Sequence, residues 1–109
     1  MEKRIYVASK TTHAPLWRNL RKLGFPIISS WIDEAGIGET SDFNNLWNRC
    51  LIESKNCTHF LLYRENDEIL KGGWIELGAA LGDNLDPSKP RKLFYAVGIE
   101  GFIIGKYYT

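Results

Sequence analysis

The clearest part of the chain is residues 58–97, THFLLYRENDEILKGGWIELGAALGDNLDPSKPRKLFYAV, in which a helix-like segment separates two apolar runs. The runs THFLLY (58–63) and KLFYAV (92–97) are rich in β-forming residues without a clean polar alternation, as is typical of strands buried on both faces of a parallel sheet. The helix-like segment includes LKGGWIELGAALG at 70–82. A strand, a helix and a strand in this order predict a right-handed βαβ unit.

The preceding residues show the same alternation. The runs RIYVA (4–8) and PIISS (26–30) predict two more strands. The segment between them predicts a helix, with a proline in its first turn, a glycine stop, and Leu16, Leu20 and Leu23 as its apolar stripe.

A second helix is predicted over TSDFNNLWNRCLIESKN (40–56), before the strand at 58–63. Its apolar positions follow the spacing i, i+3, i+4, i+7, i+8 of a helix face: Phe43, Leu46, Trp47, Cys50 and Leu51. A short last element is possible in GFIIG (101–105).

These elements predict a single α/β domain over residues 1–109. We expect a small flavodoxin-like, doubly wound parallel sheet of four to five strands in the order 2-1-3-4-5, flanked by three or more helices. In such a sheet, the ligand binds outside the carboxyl ends of the strands. The loops that follow the strands are therefore the candidate site.

Composition excludes several classes of protein. The net charge of +1 argues against a nucleic-acid binder that depends on neutralising phosphates. No apolar run approaches the roughly 20 residues of a membrane span, so we expect a cytoplasmic location. Cys50 and Cys57 have no metal-binding or redox spacing and are interpreted as reduced core thiols. No metal or cofactor is predicted.

Glu76 stands out in the third helix because its helical neighbours lack sizeable side chains. Gly72 and Gly73 lie one turn before it, and Ala79 and Ala80 one turn after it. This arrangement suits a first-turn glutamate on a closely packed helix. It equally suits a ligand cavity into which one carboxylate projects, where it can act on the anomeric carbon of a sugar.

The apolar residues of the same helix suggest how it is oriented. Trp74, Leu77 and Leu81 are expected to form its core stripe, with Ile75 beside them. Glu76 then points roughly 100° away from Leu77.

The runs IYVAS (5–9), PIISSWIDEAG (26–36) and LKGGWIELGAALG (70–82) resemble the nucleoside 2-deoxyribosyltransferase superfamily, which includes the 2'-deoxynucleoside 5'-monophosphate N-glycosidases. The resemblance implies a flavodoxin-like fold without a cofactor. It also implies that Glu76, in ELGAA at 76–80, is the nucleophile that attacks C1', and that Tyr6 hydrogen-bonds this glutamate.

Other roles follow from the same resemblance. Acidic residues of the family hold the sugar hydroxyls and the base, and the local candidates are Asp33, Asp42 and Glu68, with Asp33 or Glu68 assisting departure of the base. Independently of the resemblance, the position of Trp31 in the loop after the second predicted strand makes it a candidate for stacking on a nucleobase, and the bare face of the third helix makes Gly72 and Gly73 a candidate wall of the cavity. A phosphate would be bound by residues of the first loop and helix: Ser9, Lys10, Thr11, Thr12 and Arg18.

The chain also departs from the family. It is shorter than typical members, and its end, IIGKYYT, lacks a recognisable version of the C-terminal segment that often reaches a neighbouring subunit. The family implies a homodimer or a larger homo-oligomer, with a small nucleoside or nucleotide as partner and neither a nucleic-acid polymer nor a membrane.

Three functions remain open at this point. The first is cleavage or transfer at the N-glycosidic bond of a nucleoside or nucleoside monophosphate. The second is a non-catalytic module that sequesters a nucleotide in the same pocket. The third is a relative of TIR-type NAD-cleaving domains, in which a tryptophan usually stands farther ahead of the acid than Trp74 stands from Glu76.

Overall fold

The computed structural model describes residues 2–35, 43–65 and 67–98. This part of the chain forms an α/β fold with three α-helices and a three-stranded parallel sheet in the order β1-β2-β3. In chain order, the elements are β1 (Ile5–Ala8), α1 (Ala14–Lys22), α2 (Phe43–Asn56), β2 (His59–Tyr63), α3 (Gly72–Asn84) and β3 (Leu93–Val97). Two short 3-10 turns, Thr11–His13 and Ser30–Asp33, lie between them.

One face of the sheet forms the centre of the core. Tyr6 pairs with Phe60, and Phe60 pairs with Phe94, so that three aromatic rings stand side by side across the strands. Their ring centroids are 5.5 Å apart between Tyr6 and Phe60 and 5.9 Å apart between Phe60 and Phe94. All three side chains are fully buried, and α3 contacts this part of the sheet through β1 and β2.

The predicted second strand is reduced to a single parallel bridge between Ile5 and Ile27. Beyond this bridge, side chains take over the hydrogen bonds of β1. The N–H of Val7 donates to the hydroxyl of Ser29 at 2.7 Å, and the indole N–H of Trp31 donates to the carbonyl of Val7 at 2.8 Å. Because the outer edge of β1 is satisfied in this way, no ladder continues there. The possible element at 101–105 lies outside the described residues.

The first helix lies where the sequence predicts it, but its buried face is different. It begins at Ala14, and Gly24 follows its end with a φ of 107°, a conformation that favours glycine. The predicted leucine stripe is wrong at two of its three positions, because Leu16 is exposed and Leu23 is 77% exposed, whereas Leu20 packs against the core as predicted. Ala14 and Trp17 face the core instead.

The third helix is also rotated relative to the prediction. Leu77 is buried and Leu81 packs against the core as predicted, but Trp74 is exposed and Ile75 is 55% exposed. Glu76 and Ala80 also lie on the buried face. Gly73 explains this orientation, since a β-carbon there would lie 3.3 Å from Cδ1 of Leu62 in β2. The start of α3 therefore approaches the sheet closely, and Glu76 turns inward with it.

Within the described part of the chain, no helix has the length and apolar content that crossing a lipid bilayer requires.

Candidate active site

A cavity of about 310 Å³ is formed by the segments that follow β1, the Ile27 bridge and β2, together with one side of α2 and the start of α3. The ends of parallel strands meet at the same edge of a sheet, which is where ligands bind in α/β folds. The cavity is lined by Ser9, Lys10, Thr11, Trp31, Glu34, Ala35, Leu46, Trp47, Cys50, Ile69, Leu70, Lys71, Gly72, Gly73 and Glu76.

Glu76 is the buried acid of this cavity. Its side chain lies on the inward face of α3, and the residue is only 7% exposed. Burial raises the pKa of Glu76 to about 7, and the negative charge of Glu53 acts in the same direction, while the hydroxyl of Tyr6 opposes the shift. A carboxyl group with this pKa is about half ionised at neutral pH, as suits a group that changes its charge during a reaction.

Tyr6 lies next to Glu76 without lining the cavity. It is fully buried, and its pKa is raised by burial and by the nearby Glu76 and Cys50. Although these neighbours are close enough to act on the hydroxyl, it makes no hydrogen bond of normal geometry within the described residues. A buried hydroxyl without a hydrogen bond lowers the stability of the fold. A small shift of the side chains would let the hydroxyl of Tyr6 donate to the carboxylate of Glu76.

Gly72 keeps open the space between Trp47 and Glu76. A β-carbon at this position would lie 3.4 Å from Cη2 of Trp47 and 3.8 Å from Oε2 of Glu76. Because Gly72 has no side chain, a gap remains between the ring of Trp47 and the carboxylate of Glu76.

The structure brings together many of the residues that the sequence singles out. They lie on the loop after β1, on the second 3-10 turn and on α3: Ser9, Lys10, Thr11, Trp31, Gly72, Gly73 and Glu76. Trp31 is more enclosed than expected, since its indole N–H is fixed to the sheet by the bond to Val7.

Asp33 and Arg18 do not join this cavity. Both carboxylate oxygens of Asp33 accept hydrogen bonds from Arg21, at 2.8 and 2.6 Å, and this arginine lowers the pKa of Asp33. The guanidinium of Arg18 donates to the carbonyl of Ile32 at 2.6 Å. The reason is the 3-10 turn Ser30–Asp33, which buries Trp31 and Ile32 and so turns Asp33 outward toward α1.

The remaining acidic candidates are Glu68 and Asp42. Glu68 does not line the cavity, because its carboxylate bonds to His13, with both oxygens within 3.0 Å of Nε2. Asp42 lies outside the described residues.

Eight residues of the lining are not among the site residues that the sequence predicts: Glu34, Ala35, Leu46, Trp47, Cys50, Ile69, Leu70 and Lys71. Glu34 is held by an ion pair with Arg49 at 2.6 Å. The sequence predicts Trp47 and Cys50 as core residues, because they occupy the apolar face of α2. Their spacing of i, i+3 does place them on one helix face, but it does not indicate that a cavity lies against that face.

No group of three or more His, Cys, Asp or Glu side chains among the described residues is arranged to bind a metal ion. No protein-family model matches the chain, and no curated protein matches it.

Proposed function

We propose that this protein cleaves or transfers the N-glycosidic bond of a (deoxy)nucleoside or nucleoside monophosphate, with Glu76 as the nucleophile. The observation that carries the proposal is a buried carboxyl group with a pKa of about 7 that faces an open cavity beside a glycine. The proposal includes the flavodoxin-like strand order 2-1-3-4-5 and the homo-oligomer that the family resemblance implies.

In the proposed reaction, a carboxylate oxygen of Glu76 forms a bond to C1' while the bond from C1' to the base nitrogen breaks. The electron pair of that bond leaves with the base, whose nitrogen takes a proton from water. Water then attacks C1', the bond from C1' to Glu76 breaks, Glu76 leaves as the carboxylate, and the proton that the water loses neutralises the hydroxide left by the first step. Attack by the nitrogen of another base, which loses its proton in the same way, completes a transfer instead. The intermediate is a glycosyl ester, as in retaining glycosidases.

The other cavity residues suit binding of such a substrate. Glu34, which forms an ion pair with Arg49, has carboxylate oxygens that can accept hydrogen bonds from sugar hydroxyls. The rings of Trp31 and Trp47 offer apolar surface for a base. Lys10 and Lys71 line the same cavity and can neutralise a phosphate. The volume of about 310 Å³ lies at the lower end of the range for small-molecule sites.

The test is release of free base from a panel of nucleosides and 5'-monophosphates, followed by chromatography. We expect the wild-type protein to release base from at least one member, and Glu76→Gln to release none while it stays folded. Asp33→Asn is the matched control, because it removes an acid that lies outside the cavity and should keep full activity. Full turnover by Glu76→Gln would remove this residue from the mechanism.

A second candidate is a module that binds a nucleotide without cleaving it. The raised pKa of Glu76 favours it too, since a protonated carboxyl group donates a hydrogen bond and does not attack. Calorimetry with the same panel separates the two functions: tight binding without any released base supports the binding module.

A further inference from the structure

Positively charged side chains precede every strand of the sheet: Arg4 before β1, Lys55 before β2, and Lys89, Arg91 and Lys92 before β3. The amino ends of parallel strands meet at one edge of a sheet, so these residues gather at the edge opposite to the cavity of about 310 Å³ that Glu76 lines, the Glu76 cavity. The first residues of the three strands pair in the parallel register. The residues just before them therefore lie in one row: Arg4, Thr58 and Lys92.

A cavity of about 170 Å³ lies at this edge, and we call it the amino-edge cavity. It lies at the end of α3, whereas the Glu76 cavity lies at its beginning. Five cations and one acid belong to the described part of its lining, which therefore carries four more positive than negative charges. These residues are Arg4, Lys55, Asp83, Lys89, Arg91 and Lys92.

Asp83 neutralises only part of this positive charge. Its carboxylate accepts hydrogen bonds from Nζ of Lys89 at 2.6 Å and from Nζ of Lys92 at 2.7 Å. The side chain of Lys92 is only 5% exposed, so one cation of the lining lies inside the protein. Because two ammonium groups share a single carboxylate, this group of three side chains remains positive.

The guanidinium groups of Arg4 and Arg91 bond to backbone carbonyls, and neither pairs with a carboxylate in the part of the chain that the structure describes. Nε of Arg4 donates to the carbonyl of Asn56 at 2.8 Å, and Nη1 of Arg4 reaches that of Glu2 at 3.5 Å. Nη1 of Arg91 donates to the carbonyl of Asn84 at 2.8 Å. Since a guanidinium carries five N–H donors, each arginine keeps donors for a further acceptor.

The ends of two helices explain some of this arrangement. Both α2 and α3 end at the amino edge, at Asn56 and Asn84. The carboxyl end of a helix carries about half a unit of negative charge, so the two ends together offset about one of the four positive charges. About three charges remain without a counter-charge, and a cavity with such an excess attracts anions.

The thiol of Cys57 shows that the positive charge acts on the interior of the amino-edge cavity. Cys57 is buried and belongs to the lining. Burial raises the pKa of Cys57 to about 11, and the charges of Lys92 and Arg4 oppose this rise. The two cations therefore act on a buried group of the cavity as well as on the surrounding water.

We propose that the amino-edge cavity binds a phosphate group, with Arg4 and Arg91 as hydrogen-bond donors and Lys55 as a neutralising charge. A phosphate group combines several acceptor oxygens with negative charge, and a guanidinium can bond two of these oxygens at once. The volume of about 170 Å³ is smaller than the roughly 300–1,000 Å³ of sites that enclose a whole organic ligand. The cavity therefore holds one phosphate group and leaves any attached group outside.

The inference is independent of the proposed function, because the two cavities lie at opposite ends of α3 and the test needs no substrate. The test is a titration with inorganic phosphate at constant ionic strength, set with sodium chloride and followed by amide signals in NMR spectra. We expect saturable shifts of the amides of Cys57, Thr58 and Lys92. Shifts confined to the amides of Lys10 and Lys71, which line the Glu76 cavity, would overturn the proposal. Shifts without saturation would indicate an adventitious ion only and would overturn it too.

A parallel titration with methyl phosphate distinguishes the source of the phosphate group. We expect similar affinity for both probes, as is required if the group belongs to a larger molecule whose remainder stays outside. Binding of inorganic phosphate alone would support the site and assign it to the free ion.

Three variants separate a built site from the net charge of the protein. Arg91→Gln should weaken phosphate binding about tenfold, as expected for the loss of a hydrogen bond between charged groups. Lys55 is exposed, so Lys55→Gln should keep the fold intact, and it should weaken binding about threefold through the lost charge. Arg64→Gln is the matched control, because this guanidinium also bonds to a backbone carbonyl, that of Gly98 at 3.2 Å, but at the opposite edge of the sheet. Equal loss of affinity in all three variants would show that phosphate responds only to net charge, which contradicts the proposal.

Discussion

Gly72 leaves an empty space beside the Glu76 carboxylate: a β-carbon there would lie 3.8 Å from Oε2 of Glu76. The same β-carbon would meet the ring of Trp47 at 3.4 Å, which is ordinary van der Waals contact. A methyl group is therefore tolerated by the fold but occupies the gap that a ligand would enter. A substitution at Gly72 can therefore test ligand binding separately from the stability of the fold.

We predict that Gly72→Ala weakens ligand binding or turnover about tenfold without lowering the melting temperature. One extra carbon in the gap should overpack the bound ligand, which weakens the binding free energy by about 1–3 kcal/mol. A tenfold loss of affinity corresponds to about 1.4 kcal/mol. Calorimetry with the best ligand of the panel and a thermal melt measure the two effects.

Gly78→Ala is the control for this change. A β-carbon at Gly78 meets no atom within 4 Å, so the substitution should stabilise α3 by about 0.5–1 kcal/mol through backbone entropy alone. Ligand binding should not change. Equal loss of binding in both variants would show that the effect comes from the helix and not from the gap.

Glu76→Gln should change the pH dependence of stability as well as activity. The pKa of Glu76 rises from 4.5 to about 7 on folding, so the folded state binds the proton more tightly than the unfolded state. Stability must then fall as pH rises from about 4.5 to about 7, by at most about 3 kcal/mol. Urea unfolding at pH 4 and pH 8 should show this loss in the wild-type protein and not in Glu76→Gln. A parallel loss in both proteins would assign it to another group.

The sequence singles out Glu76, but it does not determine which face of α3 is buried. Small residues stand on both sides of Glu76 along the helix, so the periodicity of α3 is compatible with more than one buried face. The bulk of Trp74 suggested that its side faces the core. Tertiary packing decides otherwise, because Gly73 allows the helix to approach Leu62 and this contact turns Glu76 inward.

The predicted strands show a second limit of prediction from the sequence. The runs that became β1, β2 and β3 could be predicted because burial on both faces leaves a continuous apolar pattern. PIISS carries the same pattern, yet it forms only a bridge, since Ser29 and Trp31 bond to Val7 through their side chains. Local residue preferences do not reveal that a side chain will replace a backbone partner.

Tyr6→Phe should shift the pH profile of the reaction with little cost in stability. The hydroxyl of Tyr6 lowers the pKa of Glu76, so its removal should raise that pKa further and move the acid limb of kcat/KM to higher pH. Because the hydroxyl is buried without a hydrogen bond of normal geometry, its loss should not destabilise the fold. A profile of kcat/KM against pH and a urea titration test both parts. An unchanged acid limb would show that Tyr6 does not act on the group that must ionise.

Asp83→Asn should destabilise the fold strongly, although Asp83 lies at the end of α3, away from the Glu76 cavity. Its carboxylate accepts hydrogen bonds from Lys89 at 2.6 Å and from Lys92 at 2.7 Å, and the side chain of Lys92 is only 5% exposed. Loss of the negative charge leaves a buried ammonium group unpaired, which costs about 3–5 kcal/mol. Lys89→Ala is the control, because the side chain of Lys89 is 45% exposed and an exposed pair contributes about 1 kcal/mol or less.

The double variant Asp83→Asn, Lys92→Met should recover part of this loss, because it removes the unpaired charge and keeps an unbranched side chain. The same ion pairs predict the acid behaviour of the protein. Lys89 and Lys92 lower the pKa of Asp83 from 3.8 to about 2, so its contribution to stability is complete above about pH 4 and disappears as pH falls toward 2. Urea unfolding between pH 2 and 7 should show this loss in the wild-type protein and not in Asp83→Asn. If Asp83→Asn costs no more than Lys89→Ala at pH 7, water reaches the ammonium group of Lys92 and the buried pair does not stabilise this end of the sheet.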